Sequence, residues 1–327
     1  MSGRAVNGTP GHGSAPDAPD RASGGARSRH RPSSLAEASE ILAAAHADGR
    51  RLRVGDDLTA DGLSAILEHE AGDLTCTVEA GVRLSHLRAE LARHGQRLSL
   101  DPPGDPTVGA LLATNASGPL RHRFGAPRDL VLGVTLVLAD GTVASAGGKV
   151  VKNVAGYDLA RLVCGSRGRL ALIARASFRL HPLPRATRTL VVPTDDSAGV
   201  VSTLRRSLLE PSALDLLYPG RVAVLFEGAE RAVEAQLARA RLLVGGEDAG
   251  PELWDESRER QESARGRVRF DPGRLADALA GMSEALVRPA AGVAHTRDRA
   301  AGEQGDDAIA RLLDRIEHAL DPTRVLR

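Results

Sequence analysis

Helical spacing of hydrophobic residues predicts two helices in the first half of the chain. The first begins after Ser34, where the pattern Ser-x-x-Glu is typical of a capping box, and it ends at Gly49. The second places Leu84, Leu87 and Leu91 on one face and ends at a glycine. Each helix therefore has an apolar face to bury.

Alternating hydrophobic residues predict strands in the same region. Leu74, Cys76 and Val78 lie on one side of a predicted strand, and Arg51–Val54 is a shorter candidate. The Asp-Gly dipeptide at 140–141 joins two apolar runs, which is a typical signal for a β-hairpin.

The pattern restarts after a proline-punctuated linker near Leu183, and this predicts a second, smaller domain. Its strand candidates are TLVVP and RVAVLFEG, and its helix candidates are AGVVSTLRRSLL, ERAVEAQLARARLLVGG and DDAIARLLDRIEHAL. Residues 1–32 are rich in Gly, Ser, Ala, Pro, Asp and Arg, which predicts a disordered tail. The predicted organisation is a tail over 1–32, an α+β domain over 33–185 and a smaller α+β domain over 186–327.

Composition and charge argue against several classes of function. The chain has 327 residues, of which 42% are hydrophobic and 26% charged, the balance of an ordinary soluble globular protein. A net charge of +1 and an aromatic content of 2% argue against a nucleic-acid-binding protein. No apolar run is long enough to span a bilayer, and the N-terminus lacks the apolar block of a signal peptide. The expected location is the cytoplasm.

The common chemical fingerprints are missing from the sequence. Cys76 and Cys164 are far apart, and neither belongs to a Cys-x-x-Cys pair, which argues against a protein-borne zinc or iron–sulfur site. Dinucleotide-binding, P-loop, serine-hydrolase and zinc-protease patterns do not occur. The sequence identifies no metal ligand and no catalytic base.

The stretch GALLATNASGP, from Gly109 to Pro119, has neither a charge nor an aromatic ring. Such a bare chain lets backbone N–H groups approach a ligand closely and can form an anion-binding concavity. Thr114, Asn115 and Ser117 would add hydroxyl and amide hydrogen bonds. The alternative is a packed turn in which small residues merely fit.

The residues from about Leu74 to Pro184 resemble the flavin-binding domain of the vanillyl-alcohol-oxidase family, also called the FAD-binding PCMH-type family. The motifs that carry the resemblance are DPPGDPTVGALLATNASGPLRHRFGAPRDLVLGVTLVLADG, GGKVVKNVAGYDLARLVCGS and SFRLHPLP. Within this family the resemblance is to the FAD-binding subunits of glycolate oxidases. It covers roughly a third of the chain.

The resemblance implies a two-subdomain α+β fold that binds FAD non-covalently between its subdomains, followed by the smaller domain. It assigns cofactor contacts to Gly55, Thr107, Gly109, Ala113, Thr114, Asn115, Ser117, Gly118, Arg128, Lys152 and Ile173. Two roles stay open at this point. Arg128 either contacts the ligand or pairs with Asp129, and Lys152 either lies near the flavin or an acidic partner, or belongs to a helix start stabilised by Asn153.

Two segments depart from the family pattern. In the first phosphate loop, Gly55 survives, but Asp56 and Asp57 stand where glycines are expected. A carboxylate there would repel a pyrophosphate, and its side chain would obstruct a close approach. Further along, Ala171 and Ala174 replace a usual Gly and a usual Thr.

The resemblance implies an FAD-linked oxidoreductase subunit that oxidises glycolate or a related 2-hydroxy acid. Its implied partners are a sister flavin subunit and an iron–sulfur subunit, through which it would also associate with a membrane. The altered first loop favours a different hypothesis, in which the chain is a non-catalytic scaffold subunit of a multi-subunit oxidase with a decayed flavin site.

Overall fold

The computed structural model describes residues 29–148, 158–298 and 307–326, which form two α+β domains. The helices are α1 Leu35–Ala47, α2 Leu84–Ala92, α3 Val108–Thr114, α4 Arg121–Phe124, α5 Pro127–Leu130, α6 Leu159–Val163, α7 Ser197–Arg206, α8 Glu230–Val244, α9 Glu252–Glu262, α10 Leu275–Ala280 and α11 Asp307–Leu320. The strands are β1 Ile66–Glu70, β2 Thr75–Glu79, β3 Gln96–Arg97, β4 Val131–Val137, β5 Val143–Gly147, β6 Leu172–Arg179, β7 His181–Pro182, β8 Ala186–Thr194, β9 Ala213–Tyr218, β10 Gly220–Gly228, β11 Glu247–Ala249, β12 Gly266–Arg269, β13 Ala285–Arg288 and β14 Val293–Thr296.

The first domain is built on an antiparallel sheet in the order β1-β2-β6-β4-β5. Successive residues of β6 serve its two faces, because side chains alternate along a strand. Leu172 and Ala174 join the core formed with α1, whereas Ile173 between them joins the core formed with α2, α3 and α6. An irregularity in the pairing with β4 then shifts the alternation, so Phe178 joins the same core as Ile173. The sheet is therefore covered by helices on both faces.

The predicted helices and hairpin of this domain are confirmed. The Ser34 hydroxyl oxygen accepts from the Glu37 N–H at 3.1 Å, so the cap forms at the expected residue. The Glu37 carboxylate accepts from the backbone N–H of Ser33 rather than from that of Ser34 itself. Leu84, Leu87 and Leu91 are fully buried on α2. The turn at residues 140–141 joins β4 to β5 as predicted.

The strand predicted over Arg51–Val54 is wrong. Leu52 and Val54 make only isolated bridges, and the Leu52 N–H donates to the Val325 carbonyl at 2.7 Å. Leu52 pairs with Leu326 far along the chain, whereas Val54 pairs with Leu58 across the tight turn that follows it, so no continuous ladder forms.

The second domain is an antiparallel sheet in the order β11-β8-β10-β9-β13-β14-β12. On β10, Val222, Val224 and Phe226 face a core that includes residues of α7, α8 and α10. Ala223 and Leu225 face the opposite way, toward α9 and the first domain. One face of this sheet thus forms the boundary between the two domains.

Both ends of the described chain lie on the first domain. Near the N-terminus, the His30 N–H donates to the Asp57 carbonyl at 2.8 Å, and Pro32 is buried. Near the C-terminus, Val325 and Leu326 join the same core as Leu52. Residues 29–32 therefore pack on the first domain, and Val325 and Leu326 return to it after the second domain.

Candidate functional site

A cavity of about 490 Å³ opens along helix α3, and we call it the α3 cavity. Its wall is formed by the turn after Val54, by one face of α3, and by the start of β6 with the turn before it. The residues that line it are Arg29, Val54, Gly55, Thr59, Ala60, Asp61, Arg83, Pro106, Thr107, Gly109, Ala110, Ala113, Thr114, Arg167, Gly168, Ala171, Leu172 and Ile173. Its volume is typical of a site for a cofactor or another small molecule.

Helix α3 explains why the sequence is so bare in this region. Val108, Leu111 and Leu112 are buried in the core, on one side of the helix. Gly109 and Ala113 follow the helical spacing of the other side and line the α3 cavity. The helix therefore has large side chains on its buried side and small ones on its cavity side, and the small side leaves room for a ligand to approach the backbone.

Two of the three glycines predicted to bind the cofactor, Gly109 and Gly118, are constrained by the surrounding chain. The Gly109 N–H donates to the Ala80 carbonyl at 2.7 Å, and a Cβ on Gly109 would lie 3.0 Å from the Ala80 Cβ. At Gly118 a Cβ would overlap the backbone carbonyl of Asp101 and lie 2.6 Å from its Oδ1. Gly109 still lines the α3 cavity, whereas Gly118 packs away from it.

The aspartates of the first loop face Arg53 instead of the α3 cavity. Asp57 Oδ2 accepts from the backbone N–H of Arg53 at 3.0 Å and lies 3.3 Å from Arg53 Nε. Asp56 Oδ2 lies 3.3 Å from Arg53 Nη1. Gly55, which precedes the two aspartates, lines the cavity with a φ of +101°, a backbone conformation that favours glycine. Arg53 therefore offsets, within the turn, the repulsion of a pyrophosphate that was expected from these two carboxylates.

The other predicted site residues fall into separate groups. Thr107, Gly109, Ala113, Thr114, Gly55 and Ile173 line the α3 cavity. Asn115 and Ser117 line a second cavity with Thr114. Gly118 and Arg128 line neither of these two cavities. Lys152 and Asn153 lie outside the described residues, so their predicted roles stay predictions.

Asn115 and Asp129 both have structural roles near Arg128. Asn115 ends α3 with a left-handed φ of +49°, and its Oδ1 accepts from the Arg128 N–H at 3.3 Å. Asp129 Oδ2 accepts from the Ala126 N–H at 2.8 Å, so this carboxylate stabilises the turn before α5. Arg128 thus contacts Asn115, at the end of α3, through its backbone N–H.

The second cavity, of about 180 Å³, lies where the second domain meets the end of α3, and we call it the arginine chamber. Its lining residues are Thr114, Asn115, Ala116, Ser117, Arg121, Gln261, Arg267, Arg288, Ala291, Val293 and His295. Among the described residues that line it there are three arginines and no carboxylate. Thr114 belongs to both cavities, so the two are neighbours.

The carbonyl and hydroxyl of Ser117 organise the arginine chamber. The Ser117 carbonyl accepts from Gln261 Nε2 at 3.0 Å and from Arg288 Nη1 at 3.3 Å. Its hydroxyl oxygen accepts from Arg121 Nη1 at 3.1 Å. One residue of the first domain thus holds three side chains around the chamber, two of them from the second domain.

The electrostatics of the chamber favour an anion. Arg288 is 5% exposed and its Nε lies 3.4 Å from Oδ1 of the fully buried Asp215. Burial, together with Arg288, Arg267 and Arg121, lowers the pKa of His295 to about 3. Burial likewise lowers the pKa of Arg121, with Arg288 among the contributors. Positive charges are therefore crowded here, and a negative ligand would relieve their repulsion.

Sequence reasoning missed these chamber residues. Arg121, Gln261, Arg288 and His295 come from four separate elements, and none belongs to a recognisable motif beyond the RHRF run that follows the bare stretch. It also missed Arg29, whose Nη2 donates to the Gly55 carbonyl at 3.2 Å and which lines the α3 cavity.

Comparison with known proteins defines the class of the first domain. Residues 57–147 match the family model described as an FAD binding domain. A solved structure of alkyldihydroxyacetonephosphate synthase superposes with a TM-score of 0.67 and covers 90% of this chain and 74% of its own, at 17% identity. The chain therefore contains an FAD-binding domain of the PCMH type, and the resemblance inferred from its motifs is confirmed.

The curated relatives are FAD-linked oxidoreductases. Glycolate oxidase subunit GlcE of Escherichia coli is 33% identical over 201 residues, which are 60% of this chain and 56% of that protein. A D-lactate dehydrogenase of Archaeoglobus fulgidus is 40% identical over 157 residues, 46% of this chain and 35% of the relative. The chain thus spans little more than half the length of the first relative and about a third of the second.

The residues of the α3 cavity fit an FAD cofactor. The bare side of α3 leaves room beside the backbone, and the rim carries Arg29 and Arg167 beside a single carboxylate, Asp61. This positive balance suits a pyrophosphate. Within the described part of the chain, no helix has the length and hydropathy needed to cross a bilayer.

Removing residues 1–32 is expected to lower the affinity for FAD by about tenfold, because hydrogen bonds that hold the first loop are lost. These are the bond from Arg29 to Gly55, the bond from His30 to Asp57, and the bond from Thr59 N–H to the His30 carbonyl at 3.0 Å. Fluorescence titration of FAD measures the affinity. Removal of residues 1–28 is the matched control and should leave it unchanged; equal losses in both truncations would contradict a role for residues 29–32.

Proposed function

We propose that the chain is the FAD-binding subunit of a glycolate oxidase-like complex, in which FAD oxidises glycolate or a related small 2-hydroxy acid. The observation that carries the proposal is the contact of the two cavities at Thr114. One cavity fits a nucleotide cofactor, and the other is small and lined by arginines. A cofactor and a small acid bound in them would be neighbours.

The α3 cavity would hold FAD through residues already described. Gly55, Gly109 and Ala113 would allow close approach to the backbone, and Thr107 and Thr114 offer hydroxyl groups. When bound, the flavin supplies a hydride acceptor, and the protein positions its partners and shapes the electrostatics. Ile173 contributes an apolar wall at the start of β6.

The partner subunits are part of the same proposal. The GlcE relative is named as a subunit of glycolate oxidase, which supports a role for this chain within a larger assembly. We propose a sister flavin subunit and an iron–sulfur subunit as its partners. In this proposal the chain associates with a membrane only through those subunits.

The cofactor assignment is tested by filling the α3 cavity. Ala110 is exposed on the bare side of α3, so Ala110→Trp should block the cavity without disturbing the core. We expect FAD bound to the purified chain, read from its visible absorption, to fall by at least about tenfold, while the FAD-free variant melts at the same temperature as the FAD-free wild type. Ala235→Trp, on the exposed surface of α8, is the matched control and should retain FAD.

The oxidation itself is tested on the FAD-loaded chain without oxygen. Adding glycolate or lactate should bleach the flavin absorption. An FAD-loaded chain whose flavin stays oxidised would contradict the catalytic part of the proposal. A chain that binds no FAD would instead support the scaffold hypothesis.

A further inference from the structure

Two side chains of the arginine chamber have buried polar atoms that lack a partner. Gln261 Oε1 accepts no hydrogen bond from any described residue, and Arg288 Nη2 has no acceptor among the described residues. Gln261 is fixed through Nε2 and Arg288 through Nη1, and both atoms donate to the Ser117 carbonyl. The structure thus has a buried acceptor and a buried donor on two side chains that meet at Ser117.

The orientation of the Gln261 amide is determined by its neighbour. The Ser117 carbonyl can only accept, so the Gln261 atom 3.0 Å from it must be the N–H₂ group. The oxygen is therefore the unpaired atom. A buried polar atom without a partner is costly, so an acceptor and a donor of this kind favour the binding of a polar molecule that pairs with them.

We propose that the arginine chamber binds a small 2-hydroxy carboxylate, with Gln261 as the residue that recognises its hydroxyl group. This inference rests on the proposed function and adds residue roles to it. The carboxylate accepts from Arg288 Nη2 and from Arg121, and the hydroxyl donates to Gln261 Oε1. One ligand of this class satisfies both the unpaired donor and the unpaired acceptor.

The size and charge of the chamber agree with this ligand class. A volume of about 180 Å³ suits a molecule of a few carbon atoms. The lining arginines complement a carboxylate, which guanidinium groups bind in a planar, charge-assisted geometry. The hydroxyl is the only hydrogen-bond donor of such a ligand, and Gln261 supplies the acceptor for it.

The consequence is a preference for the hydroxy acid over its oxidised form. A 2-keto acid keeps the carboxylate but has no hydroxyl hydrogen, so Gln261 Oε1 becomes unpaired again. Leaving a buried acceptor unpaired lowers affinity by about tenfold or more. The same residue would therefore favour substrate binding and product release.

The test compares two ligands of equal charge and similar shape that the chain cannot oxidise. 2-Hydroxyisobutyrate has no hydrogen on its α-carbon, and pivalate carries a methyl group in place of the hydroxyl. Calorimetric titration of the FAD-loaded full chain should show about tenfold tighter binding of 2-hydroxyisobutyrate. In Gln261→Met the ratio should fall to about one, with pivalate binding changed little.

Two further variants separate this role from a general loss of binding. Arg121→Gln should weaken both ligands by a similar factor and keep their ratio. Gln236→Met, on helix α8 and outside the chamber, is the matched control for the side-chain change and should behave like wild type.

The outcomes distinguish this inference from the proposed function. An unchanged ratio in Gln261→Met, or no binding of either ligand to a chain that holds FAD, would overturn the role of the chamber while leaving the cofactor assignment intact. The wild-type chain could also prefer 2-hydroxyisobutyrate about tenfold while no hydroxy acid reduces its flavin. That result would support hydroxy-acid binding in the arginine chamber and contradict the proposed oxidation.

Discussion

Gly118→Ala is expected to destabilise the protein by at least about 3 kcal/mol, at the upper end of what overpacking costs. A Cβ at this position would overlap the Asp101 backbone carbonyl, which cannot rotate away as a flexible side chain can. Gly118 is buried, and it directly follows Ser117, whose carbonyl accepts from both Gln261 and Arg288. A shift of this loop would therefore also disturb the boundary between the domains.

Urea unfolding followed by circular dichroism measures the effect of this substitution. Gly72→Ala is the matched control, because a Cβ there would meet no atom within 4 Å, and it should change stability by less than about 1 kcal/mol. Gly109→Ala should fall between them, since its Cβ would lie 3.0 Å from the Ala80 Cβ. A Gly118→Ala protein as stable as the Gly72 variant would mean that the loop moves freely.

Asp101→Asn is expected to make the protein more stable at pH 8 and to have little effect near pH 4. Burial, opposed by Arg288 and by a hydrogen bond from the Leu120 N–H, raises the pKa of the Asp101 carboxyl to about 7. A raised pKa means that the folded state prefers the protonated acid. Its stabilising contribution is present below the unfolded pKa of about 4 and is lost as the pH rises through about 7.

The size of this effect follows from the pKa shift, at about 1.4 kcal/mol per pKa unit. The gain of the Asn variant at pH 8 is therefore up to about 4 kcal/mol. Asn keeps the acceptor for the Leu120 N–H, which lies 3.0 Å from Asp101 Oδ1. Its amide stays neutral at every pH, so the variant lacks the cost of a buried charge.

Unfolding free energies of both proteins, measured from pH 4 to pH 8, check this prediction. Burial lowers the pKa of His122 and of His295, which makes stability fall as the pH decreases. These contributions are common to the two proteins and cancel in their difference. A variant less stable than wild type at pH 8 would show that Asp101 is ionised and favourably paired with its neighbour Arg258, 3.6 Å away.

The sequence predicted the elements whose signals are local. Caps and hairpin turns depend on residues a few positions apart, as in the bond from the Glu37 N–H to Ser34. The apolar face of α2 could be identified from Leu84, Leu87 and Leu91 because the helical period fixes which residues share a face. Such features need no knowledge of distant parts of the chain.

Elements with charged or buried polar residues could not be identified in this way. Helix α9 is dominated by charges and buries only a short patch that includes Leu253 and Trp254. Strand β9 has Asp215 in its middle, fully buried. That burial is possible because Ser257 donates to Asp215 at 2.6 Å and Arg288 lies beside it, and both are remote in sequence.

The two parts of the candidate site differ in the same respect. One wall of the α3 cavity is formed by a contiguous stretch around α3, so the small residues of that wall could be recognised in the sequence. The arginine chamber needs Arg121 from one domain and Gln261 and Arg288 from the other. Their proximity depends on how the domains pack, which no local pattern specifies.

The return of the C-terminal residues to the first domain implies an order of assembly during biosynthesis. Leu52 precedes the first loop directly, and it is covered by Val325 and Leu326, which pair with it through the bond to the Leu52 N–H. The ribosome must therefore make almost all of the intervening chain before this loop gains its full packing. A nascent chain can form the sheet of the first domain early, but the full packing around Leu52, next to the wall of the α3 cavity, follows synthesis of the second domain.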